Sequence, residues 1–235
     1  MDARWHPGLS QNFVNTKMNI LKILLLVLTL SAPALAQQKP QLYNLPSPYD
    51  RYTHFMATLR GGAGIPIGPF SSGYIDKPTL QNFSLGIDWV LRQPISVGVE
   101  LGRTSYSQRL PRAIYETDEG QISAVQTRTI DLMPIQGVLS YYFSKSNAMI
   151  RPYVQVAAGA DVLTYSLYYG NLANQKQAVK FTYGGALGAK FLFKRDGAVG
   201  ADVRVKYNQT SLEYDYIDKG VGQVSATVGL FYRWW

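Results

Sequence analysis

From about residue 53 to the C terminus, apolar and polar residues alternate with a period of two, in runs separated by turn-forming residues. No helical period is sustained anywhere. The first run covers about 53–65, with Phe55, Ala57, Leu59 and Ala63 on one face. The second, about 80–92, sets Phe83, Leu85, Ile87, Trp89 and Leu91 against Ser84, Gly86 and Asp88. The third, about 95–106, alternates Ile95, Val97, Val99 and Leu101 with Ser96, Gly98 and Glu100. Runs at about 125–143, 150–166, 179–193, 198–209 and 222–235 continue the pattern, giving eight predicted strands. Pro134 falls inside the fourth, where it has no N–H to give to a ladder. This predicts a bulge, a later strand start, or a concealed hairpin that would raise the count to ten.

The connections alternate in length. Turns near 93, 146 and 196 are short, and Arg195-Asp196-Gly197 reads as a hairpin turn. Links at about 66–79, 107–121, 167–178 and 210–221 are longer and rich in Gly, Asn, Ser and Tyr. Short turns at one end and long loops at the other are the layout of an up-and-down membrane barrel. The fold class expected is therefore all-β: an antiparallel transmembrane β-barrel of about eight strands, with long extracellular loops and short periplasmic turns.

Composition sharpens this. Charged residues make up 16% of the chain, against roughly 25% in ordinary soluble domains, while aromatics reach 13%. A face turned to lipid excludes charge, so a barrel exposed to a bilayer carries this bias. With no Cys there is neither a disulfide framework nor thiolate chemistry. The net charge of +8 comes from Lys and Arg scattered singly, not from a basic patch or helix, which speaks against a nucleic-acid partner.

The N-terminal residues lie outside the predicted fold. Lys22 precedes the apolar run Ile23–Leu30, and Ala34-Leu35-Ala36 forms an A-x-A site before Gln37. That is the layout of a secretory signal peptide over 18–36, and the run is short for a membrane-spanning helix of about 20 residues. Residues 1–17 are expected to be an extension ahead of the true start at Met18, and 37–52 an extended periplasmic lead-in to a barrel domain at 53–235.

Alternation alone does not separate a membrane barrel from a soluble, lipocalin-like periplasmic one. Two details favour the membrane. The polar face is rich in Gly, Ser and Ala, which suits a narrow lumen better than a water-exposed wall. The even-numbered strands end in aromatics: Trp89, Tyr141 and Phe143, Phe191 and Phe193, then Tyr232, Trp234 and Trp235. These would form one girdle at a lipid–water interface. With the signal peptide, the IDLMPIQGVLSYYF stretch and the FYRWW ending, the chain over 53–235 resembles small outer-membrane barrels of the OmpA-like and OmpX-like group. That resemblance implies a Gram-negative outer membrane. It also implies recognition of the aromatic last strand by the barrel-assembly machinery, with Trp234 in register and Trp235 off it.

The candidate chemistry follows from the inward face. Arg60, Asp88, Glu100, Asp161, Lys190, Asp202, Arg204 and Lys206 carry both signs and are expected to pair in the lumen, Arg204 with Glu100 or Asp202. An ion path is the rival reading. His54 is the one histidine after the leader, and it falls at the predicted periplasmic entrance. A lipid A-modifying enzyme, with acyl chemistry, would need it as a base. Glu213, Asp215 and Asp218 match no strong cation motif. Loop residues Tyr165, Tyr168, Tyr169, Tyr214 and Tyr216 suit a glycan or protein ligand. The function expected is a non-enzymatic outer-membrane barrel, without cofactor or metal, that serves envelope structure or surface interaction. Its partners would be membrane lipid and lipopolysaccharide. The lipid-modifying enzyme and the soluble binding barrel are the alternatives.

Overall fold

A computed structural model describes residues 47–91, 94–117, 120–144, 148–169, 172–212 and 220–235. The leader with Ala34, Ala36 and Gln37 lies outside the described residues, as do Glu213, Tyr214, Asp215, Tyr216 and Asp218. The described part opens with one helical turn, α1 (Pro48–Arg51), where an extended lead-in was expected. Strand β1 (His54–Ile67) follows, then the short helix α2 (Pro69–Gly73) and β2 (Thr79–Val90). Strands β3 (Ile95–Thr117), β4 (Gly120–Tyr142), β5 (Ile150–Tyr169), β6 (Leu172–Leu192), β7 (Val199–Thr210) and β8 (Val221–Trp234) complete the chain. Each strand pairs antiparallel with the next and β8 pairs with β1, closing a barrel of eight strands and leaving no open edge. The count is eight, not ten.

The barrel is inside-out relative to a soluble one. At mid-height Leu59, Leu187 and Val228 are each more than 60% exposed, while their inward neighbours Arg60 and Thr227 are 2–3% exposed. A soluble barrel needs the reverse. This outer wall fits hydrocarbon, where closed strands satisfy every backbone group internally.

Two of the expected loops are strands. β3 and β4 remain paired out to Thr117 and Gly120, and β5 and β6 out to Tyr169 and Leu172. Residues 107–117 and 120–121, and 167–169 and 172–178, therefore extend two long hairpins. Their alternation fades because both faces of a hairpin beyond the bilayer meet water, so ladder pairing continues without an apolar stripe. Pro134 also departs from expectation. It lies within β4, and the pairs with β3 lapse only between Leu101–Ile135 and Thr104–Leu132, with no shift of register. A Cβ at Gly102 would stand 2.9 Å from the Pro134 ring, so the glycine makes room for the proline on the neighbouring strand. The bulge in this pair falls instead between Arg109 and Arg112.

The β1–β2 connection, expected as an outer loop, turns inward. Gly68 adopts φ 65°, a conformation that favours glycine, and reverses the chain into α2. Phe70, Tyr74 and Ile75 are then buried inside the barrel's hairpin end.

Candidate functional site

The lumen is filled in three layers. The middle one is a charge belt. Glu100 on β3 accepts hydrogen bonds from Lys206 Nζ at 2.7 Å, Arg60 Nη1 at 3.2 Å and the Arg204 guanidinium. Asp202 on β7 takes Arg60 Nε, the Tyr153 hydroxyl at 3.0 Å and Lys190 Nζ at 3.5 Å. Arg60 on β1 therefore bridges the two carboxylates across the barrel. Period-two alternation makes this convergence: every member sits on an inward position of its strand and is buried.

The remaining two predicted acids stand apart from these ion pairs. Asp161 accepts from Thr210 Oγ1 at 2.8 Å. Asp88 Oδ1 has no hydrogen-bond partner among the described residues, although Lys190 and Arg60 act on it through space. A neutral chain that the sequence reading did not single out continues from the belt toward Asp161. Lys206 donates to Gln136 Oε1 at 2.6 Å, Gln136 to Asn208 at 2.9 Å, and Asn208 to Thr182 at 3.0 Å. The Thr182 hydroxyl in turn donates to Thr210 Oγ1 at 3.1 Å, whose own proton goes to Asp161. These residues were readable as inward polar positions, but pairing four strands side chain to side chain requires the register.

Above the belt, at the hairpin end, lies an apolar layer. Phe70, Tyr74 and Ile75 pack against Tyr106, Ile130, Leu132, Leu163, Tyr165 and Leu167. The Tyr74 hydroxyl donates to the Ser166 carbonyl at 3.1 Å, and its ring stacks on Tyr165 at 4.9 Å. Arg128 Nη1 donates to the carbonyls of Gly73 and Tyr74, each at 3.0 Å, latching the plug from β4. Tyr165, expected as a loop ligand contact, is 1% exposed and belongs to this layer.

Below the belt, at the turn end, Met56, Val90, Tyr142, Tyr153, Leu192 and Phe231 form a smaller apolar cluster. Helix α1 lies across the mouth beneath it. Asp50 takes both Arg151 nitrogens, at 2.7 and 3.1 Å. Tyr49 stacks on Trp235 at 4.4 Å, meets the His54 ring edge-on at 5.3 Å, and lies under the Arg233 guanidinium at 4.1 Å. None of Tyr49, Asp50, Arg151 and Arg233 was singled out from sequence. His54 is buried and its Nδ1 lies 3.3 Å from the Tyr52 carbonyl, to which it donates.

The predicted aromatics sit on the outer wall at this same end. Phe55 on β1 stacks with Trp89 at 6.3 Å and Trp234 at 5.9 Å, Tyr141 meets Phe143 at 5.2 Å, and Tyr232 stacks with Trp234 at 6.2 Å. Phe191 faces Ile150 across the β5–β6 pair, and Phe193 continues the row with its N–H bonded to the Val199 carbonyl. Trp235 lies just past the end of β8 and stacks on α1 instead of joining the row. Among the described residues no cluster of three or more His, Asp or Glu stands ready to hold a metal ion.

Closed antiparallel topology, an apolar outer wall and a buried charged lumen define a transmembrane-type β-barrel. No family profile and no curated relative matches the chain. Solved structures do. The chain is similar to Neisserial surface protein A (NspA) at 12% identity, over 77% of this chain and 97% of that one, with a TM-score of 0.50. It also matches Ail, the attachment invasion locus protein of Yersinia pestis, at 10% identity over 77% and 97% of the two chains, TM-score 0.43. The outer membrane protease OmpT of Escherichia coli matches at 10% identity over 82% and 99%, TM-score 0.46. At these identities the likeness is one of fold: the small outer-membrane barrel.

Proposed function

We propose that this protein is a non-enzymatic barrel of a Gram-negative outer membrane, whose long hairpins meet a ligand at the cell surface while its lumen serves as a rigid core. One observation carries this reading. Strands β3 to β6 run 20–23 residues, whereas a bilayer needs about 9–11 per strand, so two paired hairpins rise well clear of the membrane above a filled lumen. Such a shape suits adhesion more than passage. The partner class is a glycan or protein at the surface, with lipopolysaccharide and membrane lipid around the wall.

The test is to replace Leu110–Val125 by a two-residue turn and compare cells carrying the trimmed and intact barrels on glycans and extracellular matrix proteins. Loss of binding at equal folded yield is expected, and equal binding by both would defeat the reading. The enzymatic alternative rests on His54, whose contacts are the Tyr52 carbonyl and the Tyr49 ring. His54→Ala should leave the lipid A profile unchanged, and an altered profile would favour the enzyme. Delivery to the outer membrane requires processing after Ala36, so N-terminal sequencing of the membrane form should begin at Gln37.

A further inference from the structure

Between the charge belt and α1, at the turn end, lies a cavity with room for one water-sized occupant, about 20 Å³. Met56, Val90, Leu192 and Phe231 give it apolar walls. Three cations, Arg151, Lys190 and Arg233, line it too, with the imidazole of His54. No carboxylate is among the described residues of the lining. The stretch 37–46 ahead of α1 and the links 92–93 and 145–147 contain no Asp or Glu either. Two of the cations have acidic partners, Arg151 in Asp50 and Lys190 in Asp202. Arg233 is different. It is 2% exposed, and its Nη2 donates to the Gly197 carbonyl. Among the described residues nothing accepts from its Nε or Nη1. Asp50 and Asp196 act on it only through space, against the repulsion of Arg151. A guanidinium carries five donor hydrogens and a full charge, and such a group, once buried, is nearly always both hydrogen-bonded and paired.

We infer that this cavity is a binding site for a single chloride ion, held by the idle donors of Arg233. Sign, size and charge together select the occupant. The lining repels a cation. The volume shuts out carboxylates, phosphate and sulfate, each of which is several heavy atoms across. A water fits and accepts hydrogen bonds, but it leaves the buried guanidinium without a counter-charge. A chloride ion is one atom, accepts several N–H bonds at once, and brings the charge that this end of the lumen lacks. Arg151 and Lys190 attract it as well while each keeps its own carboxylate. This site is independent of whatever the surface hairpins bind.

The test has a crystal arm and a solution arm, both on the intact barrel. Crystals grown from sodium bromide are mapped for the bromine anomalous signal. One peak is expected in this cavity, within hydrogen-bonding distance of Arg233 Nε or Nη1. In lipid nanodiscs, chloride then replaces gluconate at constant ionic strength while the arginine Nε–H resonances are followed. The resonance missing from Arg233→Gln should shift saturably with chloride and with bromide, and stay in place with sulfate. Met56 faces Arg233 directly across the β1–β8 pair, so Met56→Glu supplies a carboxylate from the protein itself. It should weaken chloride binding by about ten-fold or more. The site is refuted by a cavity without bromine signal, or by an Nε–H response that sulfate reproduces or that only tracks ionic strength. A bromide peak with no saturable shift in solution marks an adventitious ion only, and refutes it too. Each of these is read on the unmodified protein, so a variant that fails to fold does not shield the inference.

Discussion

The two mouths of this barrel are closed by different chemistry. At the hairpin end the stopper is apolar: Phe70, Tyr74 and Ile75, all but fully buried, enter the lumen from the β1–β2 connection. At the turn end the stopper is α1, held by an Asp50–Arg151 ion pair, a Tyr49–Trp235 stack and a cation over a ring. The first closure depends on area removed from water, the second on charge and aromatic contact. The difference suits their settings. The apolar plug lies inside the wall and is strengthened by exclusion of water, whereas the helical latch lies at the rim and is held by one ion pair that is covered only while α1 is docked. The first is built as part of the core and the second as a lid.

The charge belt lies between the two stoppers and ties five strands together, so it should be the most damaging place to cut. Glu100→Ala removes the carboxylate that Arg60, Arg204 and Lys206 share, leaving four buried cations, Lys190 included, with Asp202 as the one remaining acid of the ion-pair network. A broken buried pair typically costs about 3–5 kcal/mol, and this cut breaks more than one contact. Urea unfolding from vesicles should show the loss. An unchanged midpoint would mean that water fills the belt and solvates the cations. Next in size is Phe70→Ala. Its ring is fully buried among Tyr74 and Tyr106, so truncation should cost about 3 kcal/mol, near the lower end for a buried aromatic. It should open the hairpin end without touching the latch, which hydrogen exchange at the two ends would report separately.

How much of this contrast could be read from the sequence differs between the two ends. Within the bilayer every residue faces either lipid or lumen, so the alternation of Leu85–Ser84 or Val203–Arg204 carried the strand, its face and the list of inward charges. Partners were another matter. Arg204 could have met Glu100 or Asp202. The register gives it Glu100 and hands Asp202 to Arg60 and Lys190. Outside the bilayer the signal vanishes, which is why 107–121 and 167–178 read as loops. The plug was hidden for the same reason: Phe70, Tyr74 and Ile75 sit among Gly, Pro and Ser, with no period to mark them as core. The latch was hidden because Asp50 and Arg151 are about a hundred residues apart in sequence, and an isolated Asp-Arg pair has no signature.

Smaller than either cut is the loss of the latch itself. Asp50→Ala removes a two-point contact to Arg151, whose side chain is 7% exposed. Charge-assisted hydrogen bonds of this kind contribute about 1.5–3 kcal/mol when buried, and the loss should fall mainly on local opening of α1. Global unfolding would scarcely move, while protection of Tyr49 and its neighbours from exchange should fall. A midpoint shift as large as that of Phe70→Ala would mean that the latch is part of the core after all.

The gentlest perturbation separates the two mouths without cutting anything. The chain has no cysteine, so single reporters can be placed at Ser47 beside the latch and at Ile75 within the plug, both buried. Labelling by a water-soluble maleimide then measures how often each mouth opens. Raising the salt from about 0.1 M to 1 M shortens the screening length from roughly 10 Å to 3 Å, which acts little on the closed Asp50–Arg151 pair, 0% and 7% exposed, but favours its opened, solvated charges, and leaves apolar burial intact. Labelling at position 47 should therefore speed up by about two-fold, while labelling at position 75 stays level. Sulfate should slow the plug further, because salts excluded from apolar surface strengthen its burial. The two ends must part in this way if one is closed by charge and the other by the hydrophobic effect. Equal acceleration at both positions would mean that the mouths open together through the belt, and the distinction between core and lid would fail.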